Sequence, residues 1–393
     1  MSDPIVIVGA ARTPMGGFQG DFEGQTASDL GGVAIRAALS RAGVDGADVD
    51  EVLMGCVLPA GQGQAPARQA SFKAGLSDAV PCSTLNKMCG SGMKTVMVAH
   101  DALKAGSGSV IVAGGMESMS NAPYVLPKMR GGARLGHAEV KDHMFLDGLE
   151  DAYEQGRLMG SFAEDCAEKY QFTREAQDEY ALASLQNALD AEASGAFNDE
   201  IEPVSFKTRK GEVSITADEQ PAKARPEKIP TLKPAFKKDG TVTPANASSI
   251  SDGAAALVLM RESDAKAKGL PIRAYIRAHA SHAQAPNWFS TAPVPAMNSV
   301  LAQCGWSVDD VDLWEVNEAF AVVPMAAMAE IGMKREKLNV NGGACALGHP
   351  IGASGARILV TLLHALEKRG GTKGVASLCI GGGEGTAVAI EVA

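Results

Sequence analysis

Gly43-Val44-Asp45-Gly46-Ala47-Asp48-Val49-Asp50-Glu51-Val52 aligns without gaps on Gly305-Trp306-Ser307-Val308-Asp309-Asp310-Val311-Asp312-Leu313-Trp314. Further along, Ser91-Gly92-Met93-Lys94 is similar to Ser354-Gly355-Ala356-Arg357, and Ala113-Gly114-Gly115-Met116-Glu117 to Ile380-Gly381-Gly382-Gly383-Glu384. The three matches keep one order, at offsets of 262, 263 and 267 residues. Solenoid repeats recur every ~20–50 residues, so this spacing predicts a duplicated domain and not an array.

Each half alternates short apolar runs with helical stretches. The first half carries Ile5–Val8, Val52–Val57, Val110–Ala113 and, further along, Ala254–Met260. The second carries Ile272–Ile276, Val311–Val316, Val375–Leu378 and Ala387–Val392. Short apolar runs bounded by glycine are buried strands, and their alternation with helices predicts α/β units. Residues 1–119 with 248–271 are assigned to the first half, 272–393 to the second, and 120–247 to an inserted loop domain. In the insertion Thr173 can cap a helix with Leu182, Leu185 and Leu189 as its apolar stripe, ended by Gly195.

Composition narrows the function. The 393 residues are 46% hydrophobic and 21% charged, enough for large cores, and the net charge of −10 argues against a nucleic-acid binder. No run of eighteen apolar residues predicts a membrane span. Met1-Ser2-Asp3-Pro4 leads directly into Ile5-Val6-Ile7-Val8, which reads as a first strand and not a signal peptide. Seven cysteines with no C-x-x-C pair argue against a disulfide framework or a zinc ribbon and fit a reducing cytoplasm. Residues 201–240 hold nine Lys or Arg (Lys210 among them) and six acids, an excess of +3. That stretch is either a solvated loop face or a clamp for a phosphorylated ligand.

Four segments carry candidate chemistry. In Asn86-Lys87-Met88-Cys89-Gly90-Ser91-Gly92 the cysteine precedes a helical pattern, where free N–H groups and the helix dipole favour a thiolate. The alternative is a buried core cysteine. Gly348-His349-Pro350-Ile351-Gly352-Ala353-Ser354-Gly355 is the duplicate turn, so Cys89 and His349 occupy related places in twin halves. If the halves pack about a pseudo-twofold axis the two turns face each other, and cysteine with histidine makes an activated nucleophile. Cys379 ends a strand before Gly381-Gly382-Gly383. It is either a buried small residue or a second thiol that moves a proton beside glycine N–H groups able to hold an oxyanion. Asn317, in Trp314-Glu315-Val316-Asn317-Glu318-Ala319-Phe320, either holds a water or substrate carbonyl or caps a helix.

Together with Gly114-Gly115-Met116-Glu117-Ser118-Met119-Ser120 and Asp252-Gly253-Ala254-Ala255-Ala256, these motifs resemble the thiolase family over essentially the whole chain. The resemblance implies a thiolase fold: duplicated βαβ halves forming a five-layered α-β-α-β-α core. It implies an acetyl-CoA C-acetyltransferase reaction, the reversible condensation of two acetyl-CoA to acetoacetyl-CoA and CoA. Cys89 would be the acyl-carrying nucleophile, His349 its activator, and Cys379 the acid or base for the α-proton. The N–H groups of Cys89 and Gly381 would form one oxyanion hole, and His349 with a water on Asn317 the other. Ser248 would touch the pantetheine arm, Met159 and Phe320 the substrate, and Lys223 or Arg225 the nucleotide. At the acyl end the chain departs from biosynthetic members, with Leu158 in place of histidine and Phe289 in place of methionine.

The resemblance further implies no metal and no cofactor, CoA thioesters being substrates, and a homo-oligomer built as a dimer of dimers. The rivals are a degradative 3-ketoacyl-CoA thiolase of broader chain length and a non-catalytic acyl-CoA binding protein on the same fold. Lys128–Tyr153 favours the short-chain biosynthetic type. A ketoacyl synthase would need a second active-site histidine where this chain has Cys379.

Overall fold

The structure is a computed structural model describing residues 3–209 and 211–393; Met1, Ser2 and Lys210 lie outside it. The first half runs β1 (Ile5–Arg12), α1 (Ala27–Ala42), β2 (Glu51–Gly55), α2 (Pro66–Lys73), β3 (Cys82–Leu85), α3 (Ser91–Ala105), β4 (Val110–Ser118). Two helices of the insertion follow, α4 (Met159–Tyr170) and α5 (Arg174–Ala193), and then β5 (Ser251–Arg261) completes that half. The second half repeats the order: β6 (Ala274–Ala283), α6 (Pro293–Cys304), β7 (Leu313–Val316), α7 (Val322–Ile331), α8 (Ser354–Arg369), β8 (Lys373–Ile380), β9 (Glu384–Val392).

All eight apolar runs are strands of one mixed sheet, in the order β7-β8-β9-β6-β1-β5-β4-β2-β3, with Gly16–Gly17 as a short tenth strand beside β5. The halves join edge to edge where β1 meets β6 antiparallel, at Val6 opposite Tyr275 and Ile7 opposite Ala274. The apolar runs did not reveal β3. Its Ser83 and Thr84 are exposed on the sheet edge, so it has no buried face to leave a pattern. Its counterpart in the second half is a single parallel bridge between Trp314 and Leu338.

The expected five layers are present. Helices α1 and α2 cover the outside of the first half-sheet, and α6 and α7 lie on the outside of the second. Helices α3 and α8 pack on each other and on strands of both halves, forming the central layer. Local chemistry fixes the helix ends. Thr26 and Asp29 form a reciprocal cap at the start of α1, and Gly43 ends it in the left-handed conformation.

Helix α5 starts at the expected cap, Thr173, whose hydroxyl accepts from the Ala176 N–H. Its buried face differs from the expected leucine stripe: Leu182 and Leu189 are only half-buried, while Tyr180, Ala181, Ser184, Leu185 and Ala188 are buried. Polar burial is possible here because Tyr180 and Ser184 donate to Glu318 of the second half, at 3.0 and 2.7 Å. The insertion is anchored a second time by Arg12 of β1, fully buried, which pairs with Glu200 at 2.6 Å and with Asp218 at 2.7 Å.

The central layer depends on the duplicated Ser-Gly pair. A Cβ on Gly355 would lie 2.3 Å from the Met93 backbone nitrogen, and one on Gly92 would lie 2.9 Å from that of Ala356. Each glycine therefore lets the other half's helix backbone come into contact. Gly355→Ala should destabilise the fold by about 1–3 kcal/mol, the usual cost of overpacking, whereas Gly131→Ala, with open space around its Cβ position, should not. Denaturant titration of both variants checks this; equal midpoints would refute it.

Candidate active site

The twin helices bring their preceding turns together. Cys89 lies just before α3 and His349 just before α8, and both line one cavity of about 380 Å³ with Gly381 from the β8–β9 turn. The same cavity gathers Ser248, Leu158, Met159, Phe289 and Phe320. Cys379 and Asn317 are buried just behind this wall. A larger hollow, about 670 Å³ under residues 126–141, contains no cysteine.

His349 is held in one tautomer. Its backbone N–H donates to Ser249 O and Ser251 Oγ, at 3.2 and 3.1 Å. Its Nδ1 lies 2.5 Å from Ser354 Oγ, and that hydroxyl donates its one proton to Pro350 O at 2.9 Å. Nδ1 must then carry the proton, which leaves Nε2 as the free lone pair. Nε2 sits 3.5 Å from Asn317 Nδ2, while Asn317 Oδ1 is buried with no partner among the described residues. Asn317 is not a helix cap, because α7 begins only at Val322.

The serines are duplicates in role as well as sequence. Ser91 Oγ donates to Met88 O at 2.6 Å and accepts from Lys87 N at 2.8 Å, bracing the Cys89 turn as Ser354 braces the His349 turn. Ser354 as the orienter of His349 was not anticipated, although the repeat carried the signal. Glu318 was also missed. It accepts from Tyr180, Ser184, Asn339 Nδ2 (2.7 Å) and the Cys345 N–H (3.0 Å), and so fixes the strand end that presents Asn317. Glu117 plays a matching part. It accepts from the N–H groups of Val57 and Gly352, each at 2.9 Å, tying the first half to the His349 turn, and burial pushes it up to about 7.

Electrostatics depart from the expected thiolate. Burial pushes the Cys89 thiol up to about 11, although the N–H groups of Gly381 and of Cys89 itself lie against the sulfur and pull it back. Burial drives Cys379 well above the usual thiol range, and the adjacent Cys89 sulfur adds to it. Burial also lowers His349 to about 3, with the positive charge of Arg357 contributing. Desolvation therefore opposes and outweighs the helix end, and burial favours the neutral form of both thiols and of the imidazole.

Lys223 and Arg225 are both exposed and do not line the cavity. Lys223 is engaged by Glu219, with Asp21 at 3.6 Å, whereas Arg225 makes no side-chain hydrogen bond or ion pair among the described residues. Phe236, Ile351 and Leu149 complete the apolar wall and were not anticipated. Phe289 meets Phe162 and Phe320 edge-on, at 6.4 and 6.3 Å between ring centres.

With this geometry in view, comparison with known proteins is direct. Residues 5–263 match the model of the thiolase N-terminal domain and residues 270–392 that of the thiolase C-terminal domain. The chain belongs to the thiolase family. It is 52% identical over 388 residues to an acetyl-CoA acetyltransferase of Escherichia coli and 51% identical over 388 residues to one of Pseudomonas aeruginosa, with 98% of each chain covered. The crystal structure of the Bacillus anthracis acetyl-CoA acetyltransferase is similar at a TM-score of 0.97 and 44% identity, covering 100% of this chain and 99% of that one. In this chain the cavity sits where the two central helices begin.

A neutral resting thiol has a measurable consequence. The thiolate fraction of Cys89 should keep rising as pH approaches about 11. The rate of Cys89 alkylation by iodoacetamide in the substrate-free enzyme should therefore climb through pH 9. A plateau reached below pH 7 would mean a preformed thiolate and contradict this account.

Proposed function

We propose that this thiolase catalyses the acetyl-CoA C-acetyltransferase reaction, joining two acetyl-CoA into acetoacetyl-CoA and CoA and running in reverse, through an acetyl-Cys89 intermediate. The observation that carries the proposal is the convergence of Cys89, His349 and the Gly381 turn on one cavity, with Cys379 buried next to Cys89. The activity named for its relatives agrees.

In the first half-reaction, His349 Nε2 takes the Cys89 proton as the sulfur attacks the thioester carbonyl. The tetrahedral oxyanion accepts from the N–H groups of Cys89 and Gly381, and CoA leaves as the thiol with that proton. In the second, His349 Nε2 takes the Cys379 proton as the Cys379 sulfur takes the α-proton of another acetyl-CoA. The enolate oxygen accepts from the Nε2–H that His349 has then gained and from a water on Asn317. The carbanion attacks acetyl-Cys89, and the Cys89 sulfur departs with the proton that His349 holds. Two neutral thiols favour this scheme, because each proton move is coupled to a bond change and no charge waits in a dry cavity.

CoA thioesters are the substrates, and no cofactor or metal enters these steps. Ser248 meets the pantetheine arm, and Arg225, free of ion pairs, suits the nucleotide better than Lys223. Family resemblance supports a homo-oligomer, as do the open edge of β3 and exposed Leu135. A cytoplasmic location is supported by seven free cysteines; among the described residues no helix is long and apolar enough to cross a membrane. Retention of all four reacting groups disfavours a purely binding role.

Chain length follows from the wall. Phe289 is 3% exposed and backed by two further rings, so it yields little. Forcing an alkyl chain against packed atoms costs about 1–3 kcal/mol, whereas burying one methylene gains about 0.8 kcal/mol. The enzyme should prefer acetoacetyl-CoA over six-carbon and longer 3-ketoacyl-CoA, and Phe289→Ala should raise the six-carbon to four-carbon ratio of kcat/KM. A kcat/KM series from four carbons upward tests it. Equal turnover of eight-carbon and four-carbon substrates would establish the degradative reading instead.

A further inference from the structure

Away from the cavity, three side chains from the two halves converge on one point. His100 and Asp101 lie on α3, and His279 lies on β6. His100 Nδ1 is 3.2 Å from His279 Nε2 and 3.0 Å from Asp101 Oδ1, and His279 Nε2 is 2.9 Å from the same Oδ1. The two rings stand edge-on, with centres 4.9 Å apart.

Three potential ligand atoms thus crowd one point, whichever protons they carry. If both ring nitrogens carry hydrogen, both N–H groups donate to Asp101 Oδ1 with the two nitrogens only 3.2 Å apart. If only one does, the other's lone pair faces the carboxylate oxygen. If neither does, three lone pairs converge. A cation accepting all three lone pairs uses the same convergence of two imidazole nitrogens and one carboxylate oxygen and removes the crowding of the two donors.

We infer that His100, Asp101 and His279 form a binding site for a divalent first-row transition ion of the zinc or nickel class, clasping the two halves together. Two imidazole nitrogens and one carboxylate oxygen suit such ions better than calcium or magnesium, which favour all-oxygen sets, or copper(I), which favours sulfur. With bonds of about 2.1 Å to each atom, the ion would sit about 1 Å above the triangle, with angles of about 90–100°. That is one face of an octahedron, with the remaining positions left to water. Asp101 is 62% exposed, which gives an entry path, whereas the imidazoles, 15% and 18% exposed, are held in place by their surroundings.

The lack of a C-x-x-C pair argues only against a zinc ribbon, and this site uses no cysteine. At 1.5 Å of rise per residue, His100 lies about 16 Å along the chain direction of α3 from Cys89. The ion is therefore a clasp and has no part in acyl transfer. By bridging α3 to β6 it closes the seam that β1 and β6 hold with only two residue pairs.

The test is calorimetric titration of the EDTA-treated, full-length protein with Ni²⁺ and Zn²⁺, with X-ray absorption on the nickel form. The expected result is one saturable ion per chain, only nitrogen and oxygen ligands, and a raised Tm. Loss of an outer-shell partner alone costs 10–100-fold in affinity. Asp101→Asn and His279→Ala, which alter ligands directly, should each weaken binding by about 100-fold or more while the metal-free variants unfold as wild type does. Asp101 is mostly exposed, so its variant reports on binding even if His279→Ala fails to fold. No saturable binding, sulfur in the metal shell, or wild-type affinity in Asp101→Asn would overturn the proposal.

Discussion

The close approach of two helix backbones sets the rest of this structure. Gly92 and Gly355 are the same residue of a duplicated sequence, and each leaves room only for the other half's main chain. That contact defines the pseudo-twofold axis. It also decides what the turns before the helices can do, because the residues just upstream of α3 and α8 are forced into one neighbourhood. A cysteine in one copy and a histidine in the other then line one cavity without any further device. Bulkier residues at either glycine would separate the turns before they disturbed either half alone.

Burial follows from the same packing and governs the chemistry. The turns sit inside a five-layered core, so Cys89, Cys379 and His349 are all pushed toward their neutral forms. The two N–H groups that oppose this on Cys89 are the ones an oxyanion would use. The site is thus poorly matched to a resting charge on sulfur and better matched to charge that appears on oxygen during the reaction. Glu117 and Glu318 act at one remove: each is a buried carboxylate collecting N–H or O–H donors from different parts of the chain, and each fixes the segment that carries His349 or Asn317.

Much of this was legible in the sequence because it is local or repeated. Eight strands announced themselves as apolar runs, and the duplicated Ser-Gly pairs located Cys89 and His349 in related turns. What was not legible depends on distant partners. The edge strand Cys82–Leu85 has no buried face and so no pattern. The polar inner face of α5 makes sense only against Glu318, which lies 134 residues from Ser184. The thiol shift was misjudged because the helix end is visible in the sequence, whereas the layers that remove water from it are not. His100 and His279 are ordinary residues until β6 is laid across α3.

The central claim is that the twin turns make one site with divided roles. It is tested most directly by incubating wild type, Cys379→Ser and His349→Ala with acetyl-CoA and mapping the acetyl group by mass spectrometry. The account predicts one acetyl group on Cys89 in wild type and in Cys379→Ser, with condensation lost only in the latter, and none in His349→Ala. Acetyl found on Cys379, or Cys89 acetylated at the wild-type rate without His349, would contradict it.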